Sequence, residues 1–145
     1  MRIYVDNCCF NRPFDDQSQV RIRLECEAKM AIQQHICEKR RDLVWSYMVD
    51  YENSANPIPE RQERIAEWRR NAMVDVDESF EVLEAARRYA AMEIAPKDAL
   101  HLACAVFGSC DYFLTTDDVL LKKARGLIEI KITKPAQFVT EVLQC

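Results

Sequence analysis

Glycine and proline are scarce in this chain of 145 residues, which contains two glycines and five prolines. Long flexible loops and low-complexity linkers are rich in these residues, so the sequence predicts mostly regular elements. No apolar run approaches the roughly 20 residues that a membrane-spanning helix needs. We expect a single domain over residues 1–145, a length that suffices to bury a substantial core.

The chain also lacks the spacing of a thiolate zinc site, because its seven cysteines include no C-x-x-C pair. The N-terminus enters a short apolar stretch at once and does not have the pattern of a signal peptide. We therefore expect a cytoplasmic protein with reduced thiols. A formal net charge of −4 argues against a protein that coats nucleic acid through bulk electrostatics. It leaves open a nuclease that uses local basic patches and bound metal.

Short apolar runs alternate with helical patterns along the chain. Strands are predicted at 2–6, 43–46, 112–115 and 129–132, with a brief further run at 74–76. Helices are predicted at about 19–40, 60–72, 79–92, 97–107, 119–124 and 135–143, and a polar loop at 7–18. Such alternation implies parallel strands with helices on both faces. The sequence predicts a three-layer α/β/α domain with a mainly parallel sheet of four to five strands.

Four acidic residues stand where a strand-like run ends or a helix begins: Asp6, Glu52, Asp98 and Asp117. Ligands of open α/β sheets bind beyond the carboxyl ends of the strands. If the fold gathers the four carboxylates there, their mutual repulsion is costly without a cation. Hard oxygen ligands suit Mg²⁺ or Mn²⁺, which commonly serve phosphate chemistry. The pattern points to a metal-dependent enzyme acting on phosphates.

Each acid also has a structural interpretation. Asp6 fits a loop acid, Glu52 fits a solvated helix face, and Asp98 fits an acid that complements a helix dipole. Either of the two adjacent aspartates after the third strand fits the N-cap of the following helix. We assign Asp117 to the metal and Asp118 to the cap.

Other polar residues border the predicted site. Asn7, Asn11 and Arg12 could contact a substrate phosphate, although a hydrogen-bonded loop accounts for them equally well. His101 lies one turn after Asp98 and could transfer protons. A lone histidine in a helix rich in Ala and Leu is more often structural, and we favour that interpretation.

In this order and spacing, the acids resemble those of the PIN-domain ribonucleases, especially the VapC-like toxins of type II toxin–antitoxin systems. The resemblance covers nearly the full chain. It rests on Ile3-Tyr4-Val5-Asp6, Glu52, Asp98-Ala99-Leu100-His101-Leu102-Ala103 and Tyr112-Phe113-Leu114-Thr115-Thr116-Asp117.

Two positions depart from the family's pattern. Many relatives have Thr or Ser directly after the first acid, where this chain has Asn7. Many also have an aromatic residue three positions beyond the fourth acid, where this chain has Leu120. The first departure concerns hydrogen bonds around the metal, and the second concerns packing.

The resemblance implies Mg²⁺ or Mn²⁺ held by Asp6, Glu52, Asp98 and Asp117. Asp6 and Asp98 are the best direct ligands, and Glu52 and Asp117 are further ligands or act through metal-bound water. It implies an endoribonuclease that hydrolyses single-stranded RNA and leaves 3′-hydroxyl and 5′-phosphate ends. It also implies a homodimer and a cognate antitoxin protein that blocks the acidic groove.

Two other functions remain open. One is a catalytically silent PIN-fold module that binds RNA or a protein partner. The other is a phosphoacceptor receiver domain, for which Lys134-Pro135 near the end of the chain is suggestive. Receivers place a pair of acids after the first strand, and Asp6 is followed instead by Asn7 and Cys8.

Overall fold

The computed structural model of the protein describes residues 1–11 and 18–143, and the side chain of Asn11 lies outside this description. Five strands form one sheet in the order β3-β2-β1-β4-β5, and all neighbouring pairs are parallel. The prediction of an α/β fold with a mainly parallel sheet of four to five strands is confirmed. The strands are β1 (Arg2–Val5), β2 (Asp42–Ser46), β3 (Ala72–Val76), β4 (Tyr112–Leu114) and β5 (Lys131–Thr133).

Eight α-helices lie within the described residues. Ser79 caps α5 by accepting a hydrogen bond from Val82 N–H, and Gly108 is the C-cap of α6. A 3₁₀ turn (Trp68–Asn71) extends α4, and a π-helical turn (Val139–Leu143) extends α8. The helices are α1 (Asn7–Asn11), α2 (Val20–Cys37), α3 (Tyr47–Ser54), α4 (Pro59–Glu67), α5 (Phe80–Ala90), α6 (Pro96–Phe107), α7 (Asp118–Lys123) and α8 (Pro135–Phe138).

The connections on the two sides of β1 run in opposite directions across the sheet. From β1 the chain moves to β2 and β3, then crosses back to β4 and β5. Because such crossovers are right-handed, the helices before β3 and those between β3 and β4 cover opposite faces. Within these layers α5 packs against α6, and α2 packs against α8. The three-layer α/β/α arrangement follows.

The reversal of direction makes a topological switch point between β1 and β4. In open α/β sheets the crevice at this point, beyond the carboxyl ends of the strands, is the usual ligand site. Receiver domains have the strand order 2-1-3-4-5, which differs from the order found in this chain. The strand order therefore excludes the receiver interpretation.

Several predicted boundaries are wrong. The predicted loop at 7–18 begins with helix α1, because Cys9 and Phe10 are buried in the core and hold the segment against it. Helix α2 ends at Cys37 rather than near residue 40, since Lys39 adopts a left-handed φ of 59° that a helix cannot continue through. The last strand occupies Lys131–Thr133 rather than residues 129–132.

Within residues 1–11 and 18–143, no helix combines the length and apolar character needed to cross a membrane. The six cysteines in the same part of the chain are all free thiols.

The close approach of α6 to the sheet depends on Gly108. A Cβ at this position would lie 2.8 Å from Val44 Cγ1 and 3.3 Å from the carbonyl oxygen of Cys104. Val44 is a buried β-branched residue in β2, so it has little freedom to move away. The C-terminus of α6 can therefore pack on β2 only if residue 108 has no side chain.

We expect Gly108→Ala to destabilise the protein by about 1–3 kcal/mol through overpacking. Gly126→Ala is the matched control, because a Cβ there would meet nothing within 4 Å and Gly126 does not have a positive φ. The control should be neutral or stabilise the fold by up to about 1 kcal/mol. Urea unfolding measures both changes, and equal midpoints for the two variants would contradict the packing argument.

Candidate active site

Asp6 follows the central strand and is buried at the carboxyl edge of the sheet. Its backbone N–H donates to the carbonyl of Leu114 at 2.9 Å, which extends the β1–β4 ladder by one residue. Its carboxylate accepts hydrogen bonds of 2.8 Å from the Thr115 hydroxyl and from the N–H of Asn7. Burial raises the pKa of Asp6, although His101 and the Thr115 hydrogen bond act in the opposite direction. A nearby cation would favour the charged form.

A chain of buried hydrogen bonds holds Glu52 in place. His101 Nε2 donates to Glu52 Oε1 at 2.7 Å, and Nδ1 of the same ring is hydrogen-bonded to the Tyr4 hydroxyl at 2.5 Å. That hydroxyl also lies 2.6 Å from Ser46 Oγ. Ser46 in turn caps α3, the helix that carries Glu52. The orientation of Glu52 is therefore tied to the central strand through His101 and Tyr4.

The electrostatics of this pair favour the charged forms of both partners. Burial acts against the imidazolium of His101, but the hydrogen bond to Glu52 and the charge of Asp6 outweigh it and raise the pKa. Burial also acts against the carboxylate of Glu52, but His101 and then Lys97 outweigh it and lower the pKa. In their charged forms the two groups make an ion pair, with His101 Nε2 at 2.7 Å from Glu52 Oε1.

Ligand atoms converge at this edge of the sheet. One atom from each of Asp6, Glu52 and His101 lies within 4.8 Å of the other two. Asp98 lies beside them in the first turn of α6. Its pKa is raised to about 6, first by partial burial and then by the carboxylates of Asp6 and Asp117. Each of the four predicted acids therefore lies in or beside one electrostatically coupled group, which we call the acid cluster.

The donor set of the acid cluster suits a hard divalent cation. Both ring nitrogens of His101 are already hydrogen-bonded, one to Glu52 and the other to Tyr4. The atoms left for an ion are therefore carboxylate oxygens, which are the ligands that hard divalent cations prefer. The raised pKa of buried Asp6 is the second sign that a positive charge fits here.

The prediction that Asp118 caps the following helix is wrong. Asp117, not Asp118, is the N-cap of α7, and its Oδ1 accepts from the N–H groups of Val119 and Leu120. Its extended backbone, with φ of −80° and ψ of 106°, gives it the cap geometry. Both bonds end on Oδ1, so the cap does not use Oδ2, and a role for Asp117 at the metal stays a prediction.

Asp118 forms ion pairs with two cations. Its carboxylate is 3.0 Å from Arg21 Nη2 and 2.7 Å from Lys134 Nζ. These contacts join α2, α7 and the start of α8 at the surface. Asp118 is therefore the weaker candidate for a fourth metal ligand.

The predicted substrate contacts have different outcomes. Asn7 is buried next to Asp6, and a hydrogen bond from its side chain helps to lower the pKa of Glu52. Asn11 is the last residue of α1, and its side chain is outside the described part. Arg12 lies outside the described residues. A role in substrate binding stays a prediction for all three.

Sequence reasoning missed the part that His101 plays. The interpretation as a structural residue is right about its burial, but the ring also holds a carboxylate of the acid cluster. The spacing of Asp98 and His101 was the available signal, because residues three apart share a face of a helix. Thr115, which donates to Asp6, carried no signal beyond its position after β4.

No protein-family model matches this sequence, and no curated protein matches it. Solved structures, including the following two, are similar to it along nearly the whole chain. One is described as VapBC2 from Rickettsia felis bound to a DNA fragment from its promoter; the TM-score is 0.58 at 12% identity, covering 92% of this chain and 98% of that chain. The other is described as DNA-bound VapBC from Salmonella typhimurium; the TM-score is 0.57 at 14% identity, covering 93% and 98%.

This protein has a VapC-like PIN fold. At such low identity the likeness concerns the course of the backbone, so the chemistry of this chain must be argued from its own side chains. In this PIN fold the acid cluster lies at the switch point between β1 and β4.

We expect Asp98→Asn to stabilise the metal-free protein increasingly between about pH 4 and pH 7. The pKa of Asp98 is raised to about 6 in the folded protein, whereas an unfolded aspartate titrates near about 3.9. The stability from this shift is fully present below the unfolded pKa and is lost as pH rises through the folded one. Asparagine stays neutral throughout. Urea unfolding across this range, in the presence of a chelator, measures the difference.

Asp118→Asn is the control with the opposite sign. Hydrogen bonds from Lys134 and Arg21 lower the pKa of Asp118. Its contribution to folding stability is therefore present at neutral pH and is lost as pH falls through the folded pKa. This variant should be slightly less stable than the parent at pH 7, and the two should converge in acid. The difference in unfolding free energy between Asp98→Asn and the parent should therefore depend on pH. A difference that stays constant with pH would contradict the coupling of Asp98 to the acid cluster.

Proposed function

We propose that this protein is a Mg²⁺- or Mn²⁺-dependent endoribonuclease that hydrolyses single-stranded RNA. The observation that carries the proposal is the convergence of Asp6 and Glu52, with Asp98 coupled to both, at the switch point of the sheet. Carboxylates gathered in this way suit a hard cation, and such cations commonly serve phosphodiester hydrolysis. The VapC-like PIN fold supports the same reaction class by analogy.

The side chains of the acid cluster have distinct roles in this proposal. A bound Mg²⁺ or Mn²⁺ would supply charge stabilisation at the scissile phosphate and would lower the pKa of the attacking water. Asp6 and Asp98 would hold the ion directly, and Glu52 and Asp117 would be further ligands or act through water. The hydrogen bond from Thr115 orients Asp6, and the one from His101 orients Glu52. In-line attack leaves 3′-hydroxyl and 5′-phosphate ends.

We further propose that the protein is the toxin of a toxin–antitoxin pair. Both structural neighbours are described as VapBC assemblies bound to DNA. This supports a cognate antitoxin protein as the partner of this chain, bound over the acidic groove. A homodimer and a cytoplasmic location belong to the same proposal.

We expect the purified protein to cleave single-stranded RNA with Mg²⁺ or Mn²⁺ and to lose this activity in EDTA. Asp98→Asn should lower kcat/KM by about 100-fold or more, because it removes a proposed metal ligand. Asp118→Asn is the matched control, since this aspartate is bound to Arg21 and Lys134 instead. The control should stay within about threefold of the parent.

A parent chain that binds RNA but shows no metal-dependent cleavage would contradict the proposed ribonuclease activity. It would support the alternative of a catalytically silent PIN-fold module. Cleavage that persists in EDTA and in Asp98→Asn would point instead to a contaminating nuclease.

We expect Mg²⁺ to raise the Tm of the parent more than that of Asp6→Asn. Without metal, Asp6→Asn should be neutral or stabilising, because it removes a buried charge among other carboxylates. An ion that binds only the folded state adds about 2.7 kcal/mol at 100 times its Kd. Thermal unfolding at matched ionic strength, with KCl replacing MgCl₂ in the control, measures the shifts. Equal shifts for parent and variant would contradict a metal site at Asp6.

A further inference from the structure

A cleft of 490 Å³ opens beside the acid cluster, where α3 and α6 pack together. Two of its lining residues, Asn7 and Glu52, also take part in the candidate active site. The cleft is therefore continuous with the place where the scissile phosphate would lie. Its remaining lining residues are Tyr51, Ser54, Ala55 and Lys97.

Tyr51 exposes 60% of its surface on the wall of this cleft. Tyr51 differs in this respect from Trp45 and Phe113, which are buried in the core. Tyr51 and Glu52 both line this cleft, which places the ring beside the acid cluster. An exposed aromatic ring at this position is available to a ligand.

Lys97 lies next to this ring. Its ammonium group is 5.7 Å from the centroid of the Tyr51 ring, within range of a cation–π contact. Lys97 directly precedes Asp98 on α6, and its charge helps to lower the pKa of Glu52. It is the only lysine or arginine among the described residues that line the cleft. The cleft therefore combines one aromatic face with one positive charge.

These two groups match the chemistry of a single-stranded nucleotide. Proteins that bind single strands stack bases on aromatic side chains and pair phosphates with basic ones. Carboxylates alone repel phosphates, so a cation beside the acid cluster favours the approach of the strand. A base has an apolar face that fits the exposed ring of Tyr51.

We propose that Tyr51 and Lys97 form a nucleotide subsite for a strand that crosses the acid cluster. The ring of Tyr51 stacks on the base of a nucleotide adjacent to the scissile phosphate, and Lys97 pairs with the phosphate of that nucleotide. This inference deepens the proposed ribonuclease function and rests on it for the position of the scissile bond. The binding itself does not require cleavage.

The test measures binding of a short single-stranded RNA to chains that carry Asp98→Asn, so that the oligonucleotide stays intact. Tyr51→Ala should weaken binding by about 5- to 150-fold, the range that stacking on one base supplies. Tyr51→Phe keeps the ring and should bind like the parent. Phe80→Ala is the matched control, because Phe80 is an aromatic residue of α5 that is 73% exposed and does not line the cleft.

Lys97 is tested by the salt dependence of the same binding. Removing one phosphate contact should reduce the slope of log K against log salt by about 0.7 in Lys97→Gln. An oligomer of the same length that carries no bases isolates the role of the ring. It should bind the parent and Tyr51→Ala equally, while its affinity should still fall in Lys97→Gln.

The outcomes separate the subsite from the proposed reaction. Equal RNA affinity of the parent and Tyr51→Ala, in variants whose Tm is unchanged, would overturn the subsite. The cleft would then be a candidate contact surface for a protein partner. A chain that binds RNA through Tyr51 but never cleaves it with metal would overturn the proposed function and retain the subsite. A parent that neither binds nor cleaves RNA would overturn both.

Discussion

The buried charge of Asp6 is the constraint around which the site is arranged. Taking a carboxylate out of water costs several kcal/mol unless partners compensate for the lost hydration. The Thr115 hydroxyl, the N–H of Asn7 and the imidazolium of His101 all act on this group, yet burial still raises its pKa. The remaining deficit of positive charge is the physical reason to expect a cation at this edge of the sheet. An ion bound at this edge would therefore couple to folding through the Asp6 side chain.

The second consequence of this arrangement is that the core of the sheet and the acid cluster share residues. Tyr4 stacks on Phe113 in the neighbouring strand, with ring centroids 5.2 Å apart, and its hydroxyl reaches His101. His101 in turn holds Glu52. A change in how β1 and β4 pack would therefore reorient a carboxylate of the acid cluster without touching it. The site is as rigid as the central strands that support it.

The strand pattern was enough to place Asp6 and Asp117 near one edge, because parallel strands bring their carboxyl ends together. The role of His101 was not predictable in the same way, since a histidine in an apolar helix has the same local pattern whether or not a carboxylate lies beside it. Asp117 and Asp118 both satisfy the residue preference for an N-cap, and only the backbone angles of Asp117 decide between them. Helix α1 was missed because its five residues are too few to show a helical period, and the burial of Cys9 and Phe10 is a tertiary effect.

The hydrogen bond between Asp6 and Leu114 joins the end of β1 to β4 across more than a hundred residues. During synthesis the first strand leaves the ribosome long before its neighbour β4 exists. Until then, β1 lacks the partner on one side, and Asp6 lacks both its ladder contact and Thr115. The complete cluster can therefore form only after most of the polypeptide has been translated.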